Sequence, residues 1–200
     1  MIQKIREIKE RYPWMIVFLP AFFNLSYGIL QLYISYIVRS YWYLTLGFFF
    51  LVQGVIRFLA VTKGKSETYK TMLKIAAGMF FEAIIIAGMT YLCIEEHRYP
   101  IRNMILGIGQ AVYSFTLLGI AIWNLFMTRK KEDPLFYMVK NISFVSAIGS
   151  ILSLERMMLG TFGGTKLEFN RVMEAYTGGA AFLVILILGW RMMIRAKRFR

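Results

Sequence analysis

Charged residues are scarce in this chain, and so are the residue types that most often build catalytic or metal sites. Asp, Glu, Lys and Arg make up 18% of its 200 residues, against 58% hydrophobic residues; soluble domains carry about a quarter charged residues and fewer apolar ones. That shortage excludes an ordinary soluble fold. A single cysteine, Cys93, excludes an intrachain disulfide and a cysteine-based metal site. A single histidine, His97, excludes a paired-histidine motif, and beside Glu95 and Glu96 it reads as a solvated loop residue. There is no Gly-rich phosphate loop, no GxSxG elbow and no carboxylate pair at catalytic spacing. The expectation is therefore a protein that is not an enzyme and holds neither cofactor nor metal.

What is present is long apolar runs. The stretch Met72 to Ile94 contains one carboxylate, Glu82, near its midpoint. About 23 residues at ~1.5 Å rise span ~34 Å, enough to cross a bilayer core. Similar runs give an all-α bundle of six transmembrane helices, about 14–38, 41–61, 72–94, 102–127, 135–159 and 171–194. Together they form one integral membrane domain over 1–200 that leaves no room for a soluble catalytic domain. Residues 1–13 form a basic interfacial segment, with Ile2, Ile5 and Ile8 recurring among Lys4, Arg6, Lys9 and Arg11. The apolar run that follows is too long for a signal-peptide core.

The net charge of +13 would suggest nucleic-acid binding in a soluble chain, but here Lys and Arg gather in alternate loops. Eighteen of the 24 fall in the N-terminal segment, the 57–74 region, the 129–140 region and the C-terminal tail. The positive-inside rule then places both termini in the cytoplasm of a multi-pass cell-membrane protein. Trp14, Trp123 and Trp190 are expected at the inner interface, and the cluster Tyr41-Trp42-Tyr43 in an outer aromatic belt. Only Arg39 and Ser40 separate the first two spans, which requires a tight antiparallel hairpin.

Two clusters of polar residues stand out. A bare charge at Glu82 would cost at least ~2.5 kcal/mol in the bilayer centre, so it needs a partner. Asn24, Tyr27 and Gln31 share one face of the first span, while Gln53 and Arg57 are four apart in the second; Gln53 comes to the depth of Glu82, and Arg57 sits roughly two turns lower, within partial reach of its long arm. Glu82 with these five residues is a candidate substrate- or ion-binding site; the alternative is a neutral Glu82 held in an interhelical hydrogen bond. Glu155, Arg156, Arg171 and Glu174 form a second, outer charged cluster, either a gate or anion site or a clasp near headgroup level. Ser143, Ser146, Ser150 and Ser153 make a small-residue stripe, and Gly178-Gly179-Ala180-Ala181 a smooth patch, both suited to close helix packing.

The halves of the chain also echo each other. KTMLKIAAGMFFEAIII (70–86) overlays NRVMEAYTGGAAFLVIL (170–186), and Asn24-x-x-Tyr27 resembles Gln110-x-x-Tyr113. Three spans per half would make these inverted repeats. The segments RSYWYLTLGFFFLVQGVIRFL (39–59), LERMMLGTFGG (154–164) and RVMEAYTGG (171–179) are similar to a group of small six-helix bacterial integral membrane proteins without assigned activity. That resemblance implies a membrane protein and brings with it no substrate or catalytic residue. The expected function is a small transporter or channel-like protein with a buried carboxylate. The alternative is a non-transporting scaffold or sensor subunit, whose basic loops and tail would dock a partner protein. Expected partners are the lipid bilayer, a small molecule or ion and a second copy of the chain as a homodimer, and no nucleic acid.

Overall fold

The apolar runs leave the backbone no water to pair with, and a helix satisfies its own N–H and C=O groups. The computed structural model, which describes residues 13–63, 67–95, 104–127, 134–162 and 167–199, accordingly consists of α-helices. These are α1 (Pro13–Val38), α2 (Tyr41–Lys63), α3 (Thr68–Glu95), α4 (Met104–Met127), α5 (Pro134–Phe162) and α6 (Leu167–Ala196), followed by one 3-10 turn, Lys197–Phe199. Five of them are long and apolar enough to cross a membrane; the apolar stretch described in α4, Ile108–Ile122, is shorter. Most helices run past the apolar limits of their spans, because the polar ends can stay helical in the headgroup layer. Residues 1–12 and the 128–133 loop lie outside the described residues, as do Glu96, His97 and Lys166; the side chains of Glu95, Trp14 and Trp123 do as well.

Helix α1 packs on α2, α4 on α5, and α3 on α6; further contacts join α2 to α3, α5 to α6 and α2 to α5. The α1–α2 hairpin closes through Arg39, whose φ of 52° is left-handed. The Ser40 N–H bonds back to the Ser35 carbonyl at 3.3 Å, a six-to-one closure that caps the helix end, and the Ser35 hydroxyl donates to the Ser40 carbonyl at 3.0 Å. Close backbone approach holds the hairpin. A Cβ on Gly28 would stand 3.0 Å from the Leu51 backbone nitrogen and 3.1 Å from the Gly47 carbonyl oxygen.

The outer surface is apolar, with Phe22, Ile29, Tyr36, Ile84, Phe115, Leu183 and Ile187 all exposed. A rim this broad on a folded chain belongs against lipid. By helix length and composition this is a multi-pass membrane protein. Trp190 and Tyr41 are exposed, as a belt requires, but Trp42 and Tyr43 are not: they are 1% and 2% exposed and belong to the core. The aromatic-belt expectation is corrected for those two, because α2 turns them inward against the neighbouring helices. Arg57, counted above with a loop, is likewise fully buried inside α2.

Candidate functional site

Glu82 lies on the inward face of α3 and is fully buried. Its Oε2 accepts a hydrogen bond from Gln53 Nε2 of α2 at 3.0 Å. Gln53 Oε1 in turn accepts from the Ser146 hydroxyl of α5 at 2.6 Å. Arg57, one turn beyond Gln53, does not bond Glu82 directly. Its Nη2 donates to Ser143 Oγ at 3.2 Å and to Ser146 Oγ at 3.3 Å. Asn24 Nδ2 of α1 reaches the same Ser146 oxygen at 3.4 Å, and Asn24 Oδ1 accepts from the Tyr113 hydroxyl of α4 at 2.9 Å. One serine hydroxyl thus joins side chains from α1, α2 and α5, and through them Glu82 on α3 and Tyr113 on α4.

The network is not saturated. Glu82 Oε1 and Arg57 Nε and Nη1 are buried without a hydrogen-bond partner among the described residues. Burying such atoms unpaired costs about 1–3 kcal/mol each, more for charged groups. What the arrangement offers chemically is a carboxylate oxygen able to take a proton or face a cation, with a guanidinium three hydrogen bonds away through Gln53 and Ser146.

Tyr27 does not join Glu82. Its ring stacks on Tyr113 with centroids 3.9 Å apart and planes 15° from parallel, and its hydroxyl donates to Gln110 Oε1. These contacts are reciprocal: the tyrosine of each helix bonds the amide of the other, Tyr27 to Gln110 and Tyr113 to Asn24. Gln31 is brought to a different place. It lines a cavity of about 490 Å³ between α1, α2, α4 and α5, and its Oε1 is without a partner among the described residues. The cavity is mainly apolar, with Trp42, Leu46 and Met157 in its wall and Tyr27, Tyr113, Gln110 and Ser153 as polar edges. Tyr113 therefore links the cavity by continuous hydrogen bonds to Glu82.

Of the outer cluster, Arg156 and Glu174 form a buried ion pair. Arg156 Nε and Glu174 Oε2 are 2.6 Å apart, both side chains fully buried. Arg156 Nη2 also donates to Thr90 Oγ1 of α3 at 2.6 Å, and its guanidinium stands 5.4 Å over the Trp42 ring. Glu155 is half-buried and Arg171 lies on the exposed face of α6. Arg156 and Glu174 thus join α5 to α6 by an ion pair inside the bundle, against Thr90 of α3.

Ser143, Ser146, Tyr113, Gln110, Thr90 and Trp42 were not among the expected site residues. For the serines a signal existed: the 143-146 step puts both hydroxyls on one helix face, where they act as hydrogen-bond partners of Arg57 as well as small packing residues.

These observations define a polytopic helical membrane protein with a buried Glu82, a buried Arg156–Glu174 ion pair and a cavity between α1, α2, α4 and α5. No protein-family model, curated protein or solved structure matches the chain.

Proposed function

We propose that the protein is a small transporter or channel-like protein in the cell membrane, in which Glu82 carries a proton or pairs with a cation and the cavity between α1, α2, α4 and α5 admits a small, largely apolar molecule. The observation that carries this reading is the unbroken chain Tyr113–Asn24–Ser146–Gln53–Glu82, which runs from the cavity wall to a buried carboxylate with one unpaired oxygen. Ionisable groups this deep in a bundle commonly mark ion or substrate paths. No catalytic step is part of the proposal.

An inverted arrangement of two three-helix halves is part of the same proposal. The pairings α1–α2 and α2–α3 in the first half recur as α4–α5 and α5–α6 in the second, and α2–α5 and α3–α6 join the halves. Reciprocal contacts between Asn24-Tyr27 and Gln110-Tyr113 are what a local two-fold axis would generate. Arg57 and Glu82 lie on α2 and α3, and Arg156 and Glu174 on the matching pair α5 and α6, with each arginine toward the C-terminal end of its helix. Repeats of this kind allow alternating access about a fixed central site. The positive-inside distribution supports cytoplasmic termini.

The test is dissipation of an imposed pH gradient in liposomes holding the purified protein. Wild type is expected to dissipate the gradient and Glu82→Gln to hold it, with both variants folded to the same thermal midpoint. Equal leak from the two, or wild-type leak no greater than that of empty liposomes, rejects proton conduction through Glu82.

A further inference from the structure

A second pocket, of about 210 Å³, lies between α4, α5 and α6, near the end of the bundle where α5 begins and α6 finishes. Lys140, Arg191 and Tyr137 line it together with Asn141. Asn141 is 6% exposed, and its Nδ2 is buried without an acceptor among the described residues. Arg195, one turn from Arg191, lies 4.1 Å over the Tyr137 ring, which adds positive charge beside the mouth. Among the described residues no acidic side chain lines the pocket. Its described lining therefore presents a lysine ammonium, an arginine guanidinium and an unused amide N–H.

We infer that this pocket binds the phosphate of an anionic phospholipid headgroup. A guanidinium fork and an ammonium match phosphate oxygens in geometry and charge, and Asn141 Nδ2 supplies the remaining donor from the floor. Two observations favour a lipid over a soluble phosphate. Lys140 lies six residues, about 9 Å, into α5, a helix long and apolar enough to cross a membrane, so the pocket opens on a lipid-facing element within snorkelling reach of its end. The pocket is also lined by the apolar side chains of Ala121, Leu188 and the exposed Phe144, a wall along which acyl chains can run. Basic pockets between transmembrane helices recognise anionic headgroups in this way.

The experiment uses the full-length purified protein in a neutral detergent, titrated with dioleoyl phosphatidylglycerol, dioleoyl phosphatidylcholine or inorganic phosphate. Retention is read by native mass spectrometry, and the thermal midpoint is followed in parallel. Phosphatidylglycerol is expected to stay bound at one per chain and to raise the midpoint, with phosphatidylcholine doing neither. Lys140→Gln with Arg191→Gln should weaken that binding by roughly thirtyfold, on the basis of about 1 kcal/mol per charge. Should the double variant fold poorly, Lys140→Gln alone should still weaken it about fivefold while keeping the wild-type midpoint in phosphatidylcholine. Equal retention of the two lipids overturns the inference, as does binding unchanged in the variants. A midpoint shift produced by inorganic phosphate, to which phosphatidylglycerol adds nothing, overturns it in favour of a soluble anion.

Discussion

Ser146 occupies the position on which the buried polar network turns: its hydroxyl donates to Gln53 and accepts from Arg57 and Asn24. Ser146→Ala removes about one atom of volume but leaves Gln53 Oε1 and two donors short of a partner. A loss of about 1–3 kcal/mol is expected, read as a lower thermal midpoint in detergent; an unchanged midpoint would mean that the hydroxyl is not a hub. The Arg156–Glu174 pair permits a sharper comparison. Glu174→Leu strands a buried guanidinium and should cost about 3–5 kcal/mol, whereas Arg156→Met with Glu174→Leu removes both charges and should restore most of the loss. Denaturation of the single and double variants gives the coupling directly, and additive losses would argue against a buried ion pair. At this scale the sequence was partly legible. A lone glutamate in an apolar run announces that a partner is needed, and Gln53 at matching depth was a legible choice. That Arg57 turns instead to Ser143 and Ser146 was not, because the direction of a long side chain depends on which helix stands opposite.

At the scale of the helices, small residues decide how closely the elements approach. Gly178 of α6 faces the Thr90 side chain so closely that a Cβ there would collide with it, whereas Gly179 has nothing within 4 Å. Gly178→Val should therefore destabilise the bundle by about 1–3 kcal/mol through overpacking, while Gly179→Val is tolerated; thermal midpoints of the two variants check the contrast, and similar losses would contradict the α3–α6 packing. At the α1–α2 turn, Arg39 holds a left-handed conformation that β-branched residues adopt worst. Arg39→Val should lower the midpoint and Arg39→Gly should not, and the reverse order would place the turn elsewhere. Helix existence was legible because length and apolar content force it in a bilayer. The inward turn of Trp42 and Tyr43 was not, since helical periodicity shows only that faces differ and α2 has neighbours on more than one side.

For the molecule as a whole, the arrangement of charge leads to a prediction about orientation. On a Cys93→Ser background, Ser40→Cys should react with a membrane-impermeant maleimide added to intact cells, and Arg198→Cys only after the membrane is opened. Labelling in the opposite order would reverse the proposed topology. The sequence by itself determined that this protein is an all-helical chain with five or six helices long and apolar enough to cross a membrane, because the free energy of burying backbone and apolar side chains in lipid depends chiefly on local composition and length. It also singled out Glu82 as the costliest group to bury. Only the tertiary structure decided which groups meet: the reciprocal Tyr27–Gln110 and Tyr113–Asn24 contacts, the Ser146 junction, the Arg156–Glu174 pair and the basic pocket at Lys140 and Arg191. Those depend on which helices are neighbours and how each is rotated about its axis. Apolar runs scarcely encode such rotation, since lipid and a neighbouring helix are almost equally apolar surroundings.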